Sequence, residues 1–254
     1  MIHFIQTEVL KLQKPKMILF DYGQTIIDEI YFDGIKGTEA VLQYATKNKY
    51  NKTALEIQEY VNELNDEIGR FDPARLHQMQ VEIHNYPFQR YLYEMMGVEL
   101  SISGYELETV FWDNAAPARP TKNIESLLDY LYEHNIRTGV ISNISFSGDA
   151  LKERINHILP NHHFEFVIAS SDYVFRKPNK RIFDLALMKS ELEAKDIWFC
   201  GDQVKCDVDG AYASGMIPVW YVGAMGMKQS PPDKDHIKVE DWLELLEYIK
   251  GDSQ

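Results

Sequence analysis

Four polar segments of this sequence each lie at the end of an apolar run that has the length of a buried strand. In chain order they contain Asp21, Ser142 with Asn143, Lys177, and Asp202 with Asp207. The carboxyl ends of strands in an open parallel sheet meet at one crevice, so these side chains are expected to converge there. Together they offer a carboxylate nucleophile, a hydroxyl donor, a fixed cation and a second carboxylate for a hard metal. That set is suited to attack on a phosphoryl group.

The elements that must position these residues are short apolar runs that alternate with helical patterns. The runs MILF, TGVIS, FEFVIAS, IWFCG and IPVWYV have the length and composition of buried strands. Between them apolar residues recur at helical spacing, as at Ile124, Leu127, Leu128 and Leu131. Strand and helix in alternation indicate parallel βαβ units. The sequence therefore predicts an α/β fold built on a doubly wound parallel sheet.

Residues 28 to about 115 interrupt this alternation with a helical pattern. Thr53 and Glu56 fit a capping box at the start of a helix with apolar residues on one face, Ile57, Val61, Leu64 and Ile68. Further helical stretches are predicted over 87–96 and around Leu107, and the segment AAPARP is typical of a returning linker. We therefore expect an α/β catalytic core of residues 1–27 and 116–254 with an inserted helical cap domain of residues 28–115.

The charge of the chain limits its partners. Lys and Arg number 26 against 39 Asp and Glu, a formal charge of −13, which repels nucleic acid and anionic membrane surfaces. A small phosphorylated substrate would be repelled too, so its site must supply local positive charge from a metal, a lysine or a helix N-terminus. No apolar run approaches the length of a membrane span, and the N-terminus does not resemble a signal peptide. We expect a cytoplasmic protein; the sequence leaves its oligomeric state open.

The four polar segments resemble the four motifs of the haloacid dehalogenase (HAD) superfamily. The string ILFDYGQTIID is similar to the first motif, VISN to the second, FRKPNKRIFDLAL to the third and CGDQVKCDVDGAYASGM to the fourth, in the order of that superfamily. The resemblance spans about residues 17–222, and the helical insertion matches the position of the superfamily's small cap. It implies a hydrolase, above all a phosphatase of small phosphorylated metabolites, with a Rossmann-like core.

The resemblance also implies a role for each matched residue. Asp21 would be the nucleophile that forms an aspartyl-phosphate. Ser142, with neighbouring backbone N–H groups and Asn143, would bind the transferring oxygens of the substrate. Lys177 would neutralise charge on both the nucleophile and the phosphoryl group, and would contact the substrate.

A metal site is implied by the same motifs. Mg²⁺ would be held by the carboxylates of Asp21 and Asp202 and by the backbone carbonyl of Gly23. Asp207 would act in the outer shell of the metal or orient Lys177. An all-oxygen site that keeps several waters suits magnesium.

Gly23 is also where the sequence departs from the family pattern. Most phosphatases of the superfamily carry a second Asp there, the general acid and base for the leaving group, and loss of such a group typically costs about 10²- to 10⁴-fold. Three alternatives stay open: a phosphatase that works without this acid, a C–halogen or C–P bond hydrolase, and a non-catalytic binding or regulatory protein of the same fold. The retained Asp21, Lys177 and Asp202 favour the phosphatase.

Other conspicuous residues are assigned structural roles. Arg176, beside Lys177, is expected to be solvated. Cys200 lies in an apolar run and is expected to be a buried, reduced thiol, and His162 and His163 are expected at the surface or at a helix cap. Most aromatic residues of the insertion are expected to pack in helix cores or between domains, namely Tyr31, Phe32, Tyr86, Phe88, Tyr91 and Tyr93.

Overall fold

The computed structural model describes residues 14–225 and 229–251. The strands are β1 (Met17–Phe20), β2 (Ile27–Glu29), β3 (Ala45–Asn48), β4 (Val98–Leu100), β5 (Ala118–Pro120), β6 (Arg137–Ser142), β7 (Val167–Ala169), β8 (Ile197–Gly201), β9 (Ile217–Tyr221) and β10 (Ile237–Val239). The α-helices are α1 (Gly34–Leu42), α2 (Ala54–Glu67), α3 (Pro73–Met79), α4 (Asn85–Met96), α5 (Gly104–Ala115), α6 (Ile124–Glu133), α7 (Gly148–Ile158), α8 (Ser170–Tyr173), α9 (Lys180–Ser190), α10 (Asp209–Ala213) and α11 (Trp242–Lys250).

A parallel sheet of six strands forms the centre of the molecule. Its order is β10-β9-β8-β1-β6-β7, and each pairing is parallel. From β1 the chain proceeds to β6 and β7 on one side and then returns to β8 on the other side of β1. This reversal creates a topological switch point beside β1, where open α/β sheets bind ligands. The predicted α/β fold with a doubly wound parallel sheet is confirmed.

Strand β1 is apolar throughout because both faces of the sheet are covered. Ile18 and Phe20 point to a cluster that also contains side chains of α6, α7 and α11. Met17 and Leu19 point to the opposite cluster, which contains side chains of α9 and α10. Alternation along a strand sends neighbouring residues to opposite faces, so a strand buried on both faces has no polar positions. Each such side chain contributes about 1.5–3 kcal/mol of burial free energy.

The helices between residues 34 and 115 pack around an apolar cluster of their own. It is built from side chains of α1, α2, α4 and α5 and of β4, including Val41, Ile57 and Leu107. The capping box at the start of α2 is present: Thr53 Oγ1 accepts from the backbone N–H of Glu56, whose carboxylate accepts from the N–H of Thr53. The helix ends sooner than its pattern predicts, since Ile68 is its C-cap and is exposed. The antiparallel pair β3–β4 was not predicted.

Two chain crossings connect this helical insertion to the sheet. Strands β2 and β5 form an antiparallel ribbon, so the predicted AAPARP linker is partly a strand. Arg154 of α7 anchors the ribbon: its Nε donates to Tyr22 Oη at 2.9 Å and its Nη1 to Asp113 at 2.5 Å. It also donates to the backbone carbonyl of Ala116. The insertion is thus fixed to the sheet at its base.

A second contact joins the insertion to the sheet far from the ribbon. It is made by residues 80–85, which we call the bridging segment. The N–H of Arg176 donates to the carbonyl of Gln80 at 3.0 Å, and the N–H of Glu82 donates to Val174 at 2.6 Å. The N–H of Asn85 donates to the carbonyl of Ser145 at 2.9 Å. The bridging segment therefore contacts the loop after β6 and the loop between α8 and α9.

Within the described part of the chain, none of the helices combines the length and the apolar character that crossing a bilayer requires.

Candidate active site

Four charged side chains meet at the carboxyl edge of the sheet. Asp21 directly follows β1 and Asp202 directly follows β8, while Lys177 lies in the loop between α8 and α9. Lys177 Nζ lies 2.6 Å from Asp21 Oδ1 and 2.7 Å from Asp207 Oδ1. The three carboxylates offer oxygens that all lie within 4.8 Å of one another. All four residues are buried, and the structure brings them together as the motif positions suggest.

Lys177 is held in place by Asn143 through its own backbone. The N–H of Lys177 donates to Asn143 Oδ1 at 2.7 Å, and Asn143 Nδ2 donates to the carbonyl of Lys177 at 2.9 Å. The side chain of Asn143 thus uses its donor and an acceptor to align the loop that carries the cation. Its side chain has a positioning role, and substrate contact by Asn143 stays a prediction.

Asp207 lies in a π-helical turn, Val204–Val208, that immediately follows β8. Such single wide turns are frequent at functional sites, and here the turn points the carboxylate back toward Lys177. The N–H of Gln203 donates to Asp207 Oδ2 at 2.9 Å and fixes its orientation. A side chain on Gly201 would collide with the carboxylate of Asp207, so the close approach requires glycine.

Ser142 and Gly23 occupy the same edge. Ser142 is the last residue of β6, the neighbour of β1, and is buried. Gly23 follows Asp21 in the turn after β1, and it does not have a positive φ. A Cβ atom added to Gly23 would meet no heavy atom within 4 Å. Neither backbone conformation nor space therefore explains the glycine at this position.

The charges of the site do not balance without a cation. Three carboxylates face one ammonium group, which leaves two negative charges in excess when all are ionised. Burial, together with the charges of Asp21 and Asp207, raises the pKa of Asp202 to about 7. Burial lowers the pKa of Lys177, but Asp207 and Asp21 outweigh it and hold that pKa above its usual value. A buried, all-oxygen, electron-rich donor set fits a hard divalent ion such as Mg²⁺.

A cavity of about 460 Å³ extends from the loop after β6 to the helices of the insertion. Its wall includes Asn143, which follows Ser142 in the chain. The aromatic residues of its wall include Phe32, Phe88, Tyr93, Phe111, Trp112 and Phe146. Three of the six aromatic residues that were expected to pack, Phe32, Phe88 and Tyr93, thus line a ligand-sized space.

The prediction for Arg176 is wrong. Its side chain is only 19% exposed, and Nη1 lies 3.2 Å from the buried carboxylate of Glu82 in the bridging segment. Sequence reasoning missed this pair because the two residues belong to different parts of the fold. It also missed Arg70, a buried residue of the cavity wall whose neighbours in sequence, Gly69, Phe71 and Asp72, indicate an ordinary surface turn.

The side chains of His162, His163 and Cys200 are not among the converging groups of the site. His162 Nδ1 accepts from the N–H of Phe164 at 2.8 Å, and His163 stacks on Tyr132. Cys200 is fully buried in β8, as predicted, and burial raises its pKa well above the usual value. It is a structural residue of the sheet.

Comparison with a relative of known function covers part of the chain. A glyceraldehyde 3-phosphate phosphatase from Methanothermobacter thermautotrophicus is 30% identical over 122 residues, which is 47% of this chain. The match spans half the length of that curated relative.

Solved structures share the fold over nearly all of the chain. A 2-haloacid dehalogenase from Pseudomonas syringae aligns with a TM-score of 0.63 and 19% identity, covering 94% of this chain and 100% of that one. A HAD phosphatase from Thermococcus onnurineus aligns with a TM-score of 0.59 and 20% identity, covering 92% and 97%. At such identities the likeness establishes the fold, and the two proteins differ in the bond they are named for cleaving.

A family model described as haloacid dehalogenase-like hydrolase matches residues 18–220. That range contains the complete set of converging side chains, from Asp21 to Asp207, together with the whole helical insertion. The chain therefore belongs to the haloacid dehalogenase-like hydrolase family.

Proposed function

We propose that this hydrolase is a Mg²⁺-dependent phosphatase of small phosphorylated metabolites that acts through an aspartyl-phosphate on Asp21. The observation that carries the proposal is the arrangement around Lys177, which contacts Asp21 at 2.6 Å and Asp207 at 2.7 Å beside Asp202. The ammonium group holds one oxygen of Asp21 in place and leaves the other oxygen to act as the nucleophile. The 30% identical stretch of the archaeal phosphatase supports a phosphate ester as the substrate.

In the first step, the Asp21 oxygen that is not bonded to Lys177 attacks phosphorus. The P–O bond to the leaving group breaks, and its electron pair stays on the departing oxygen. Lys177 stabilises charge on the phosphoryl oxygens, Ser142 donates a hydrogen bond to them, and Asp207 holds Lys177 in position. In the second step, water attacks phosphorus and releases inorganic phosphate, which restores the carboxylate of Asp21.

Mg²⁺ would be held by Asp21 and Asp202, with the carbonyl of Gly23 and with Asp207 close by, and it supplies positive charge when bound. Because Gly23 offers no carboxylate, the departing oxygen takes its proton from water in this scheme. Esters with weakly basic leaving groups are therefore the best substrates.

A second candidate is the cleavage of a carbon–halogen bond, which Gly23 favours because a halide leaves without a proton. The buried acids Asp202 and Asp207 count against this candidate, because cleavage of a carbon–halogen bond needs no such excess of negative charge. The same surplus of acids argues for an enzyme that depends on a metal ion.

The test is a panel of phosphate esters and 2-haloacids, assayed with and without Mg²⁺. We expect phosphate release that requires Mg²⁺ and disappears in Asp21→Asn, because an amide cannot attack phosphorus. Asp129→Asn, which changes an exposed carboxylate of α6, is the matched control and keeps full activity. Halide release without phosphate release would favour the second candidate, and turnover by Asp21→Asn would remove Asp21 as the nucleophile.

A further inference from the structure

Arg70 is a buried cation whose hydrogen-bonding capacity is largely unused. It follows α2 in the insertion, lies in the wall of the cavity and is 6% exposed. Nη1 donates to Asn85 Oδ1 at 3.3 Å, and the guanidinium carbon lies 4.1 Å from the ring centroid of Phe88. Nε and Nη2 are buried and have no hydrogen-bond partner among the described residues. Two adjacent N–H donors of the guanidinium fork are therefore free.

The acidic side chains around the cavity are already engaged elsewhere. Glu82 pairs with Arg176 and accepts from Ser170 Oγ at 2.9 Å. Glu29 accepts from Trp112 Nε1 at 2.7 Å and pairs with Arg154. In residues 14–225 and 229–251, Arg70 has no carboxylate within ion-pair distance.

A third acid reaches Arg70 only indirectly. Asn85 Oδ1 accepts from Arg70 Nη1 and the Asn85 side chain lies near Glu108, so an amide lies between the two charges. Burial lowers the pKa of Arg70 to about 10, a shift that Glu82 opposes and Arg75 reinforces. Arg70 therefore carries its charge at neutral pH, and the cavity wall has a cation without a counterion.

An uncompensated buried charge with two free donors is unfavourable in the empty protein. Paired N–H groups in a planar fork match the two oxygens of a carboxylate or phosphate. The wall of the cavity includes Arg70, several aromatic side chains and Asn143, which lies beside the residues that would bind the phosphoryl group. Nearby, Asn65 Oδ1 is also buried without a partner and could accept a substrate hydroxyl.

We propose that Arg70 is a specificity residue that binds a second oxyanion of the substrate, a carboxylate or a second phosphate. The phosphoryl group that is transferred would lie near Asp21, beside the part of the cavity wall that Asn143 forms. The substrate class is thus a phosphate ester with an apolar body and a second oxyanion. This inference rests on the proposed phosphatase function.

The test compares aryl phosphates that differ only in charge at the far end. Para-carboxyl, para-carboxymethyl and para-carboxyethyl phenyl phosphates vary the distance between the anions, and each is matched with its carboxamide. Benzene-1,4-diol bisphosphate against its monophosphate tests a second phosphate. We expect kcat/KM to favour at least one anionic member about 10-fold or more over its neutral partner, mainly through KM, since a charged hydrogen-bond pair typically has that effect.

Variants locate the effect. Arg70→Gln is expected to lower the anionic preference about 10-fold, while Arg70→Lys keeps part of it because the charge remains without the fork. Arg90→Gln is the matched control, since Arg90 is an exposed arginine of α4 paired with Glu94, and it leaves the preference unchanged. If Arg70→Gln misfolds, as judged by circular dichroism, Arg70→Met is used instead, because its shape is closer to the buried stem.

The outcomes separate this inference from the proposed function. Mg²⁺-dependent hydrolysis of all the esters, with no anionic preference or with a preference that survives Arg70→Gln, overturns the role of Arg70 and leaves the phosphatase intact. If no ester is hydrolysed, calorimetric titration with 4-carboxybenzylphosphonate and its carboxamide decides the question without turnover. Equal affinities, or affinities equally affected by Arg70→Gln, overturn the inference there too.

Discussion

Lys177 in the sheet region and Arg70 in the helical insertion are both buried cations, but they differ in their partners. Lys177 is 1% exposed and touches two carboxylates at 2.6 and 2.7 Å. Arg70 is 6% exposed and touches an amide and an aromatic ring, with two of its nitrogens unpartnered. Lys177 has its ion-pair partners in the folded protein without a ligand. Arg70 keeps two nitrogens that have no hydrogen-bond partner among the described residues.

The difference teaches how the molecule divides its tasks. The groups that would break a bond are held by strand ends and by one another, so they are preorganised before a ligand arrives. Arg70, the group that would select the ligand, has hydrogen-bond donors that a bound ligand would occupy. Specificity can then change in the insertion while the residues at the sheet edge stay fixed.

The largest expected effect comes from removing the paired cation. Lys177→Met should reduce kcat for an aryl phosphate by at least about 10²-fold, the scale for losing one preorganised charge. It leaves Asp21 and Asp207 buried without their counterion, so we also expect a loss of about 3–5 kcal/mol in the free energy of unfolding. Steady-state kinetics and chemical denaturation measure both. Lys180→Met, at an exposed lysine of α9, is the control; a loss under threefold in Lys177→Met would place this cation outside the chemistry.

Gly23→Asp tests whether the sheet edge lacks a proton donor. The space around Gly23 is open and its φ is ordinary, so the variant should fold. We expect the native enzyme to slow steeply as the leaving group becomes more basic, and the variant to gain about 10-fold or more on alkyl phosphates. Rates over a series of leaving groups give the slope for both proteins. A shallow native slope that Gly23→Asp does not change would indicate a donor elsewhere, most simply in the insertion.

Glu108 extends the comparison to a buried acid of α5. It accepts from the N–H and the hydroxyl of Ser147, and burial raises its pKa to about 7. The folded state therefore keeps a proton that the unfolded chain releases near pH 4.5, so stability falls as pH rises from about 4.5 to 7 and then levels off. Glu108→Gln should flatten this fall by up to about 3 kcal/mol.

The measurement is the free energy of unfolding from pH 4.5 to 8, with saturating Mg²⁺ so that Asp202 stays ionised. Glu106→Gln, two residues earlier on the same helix, exposed and outside the network, serves as the control. Parallel pH profiles of the native protein and Glu108→Gln would show that Glu108 is ionised throughout.

The smallest expected effect is a gain in stability. Arg70→Met replaces an unpaired buried charge with an apolar side chain of similar length, so the ligand-free protein should gain about 1 kcal/mol. For a chain of this size that corresponds to a rise of about 2–4 °C in Tm. The sign is opposite to that expected for Lys177→Met. A clear loss of stability would mean that the contacts with Asn85 and Phe88 outweigh the cost of burying the charge.

The sheet edge could be predicted from the sequence because each of its parts is local. Asp21 is adjacent to MILF in the chain, and Asp202 to IWFC, so finding the strand also finds the residue. The shared crevice then follows from the rule for parallel sheets. The positions could be inferred in this way, whereas the ion-pair distances required the folded chain.

The cavity could not be predicted because its parts are distant in sequence and lack a pattern. Arg70 follows Ile68 and Gly69 in a turn that looks solvated, and only tertiary packing buries it. Arg176 appeared solvated for the same reason, since Glu82 reaches it from the bridging segment. Strand β3 was missed because none of the side chains of ATKN is buried. The segment therefore lacks the alternation of apolar and polar residues that predicts a strand.

The bridging segment links the position of the insertion to the position of Lys177. Its hydrogen bonds hold the stretch 174–176, which immediately precedes Lys177, so the insertion cannot lift at this side without releasing the backbone beside the catalytic cation. Opening the cavity at this side would then disturb the backbone next to Lys177, which Asn143 holds from the other side. Under the proposed mechanism, this contact couples the entry of substrate to the position of Lys177 beside Asp21.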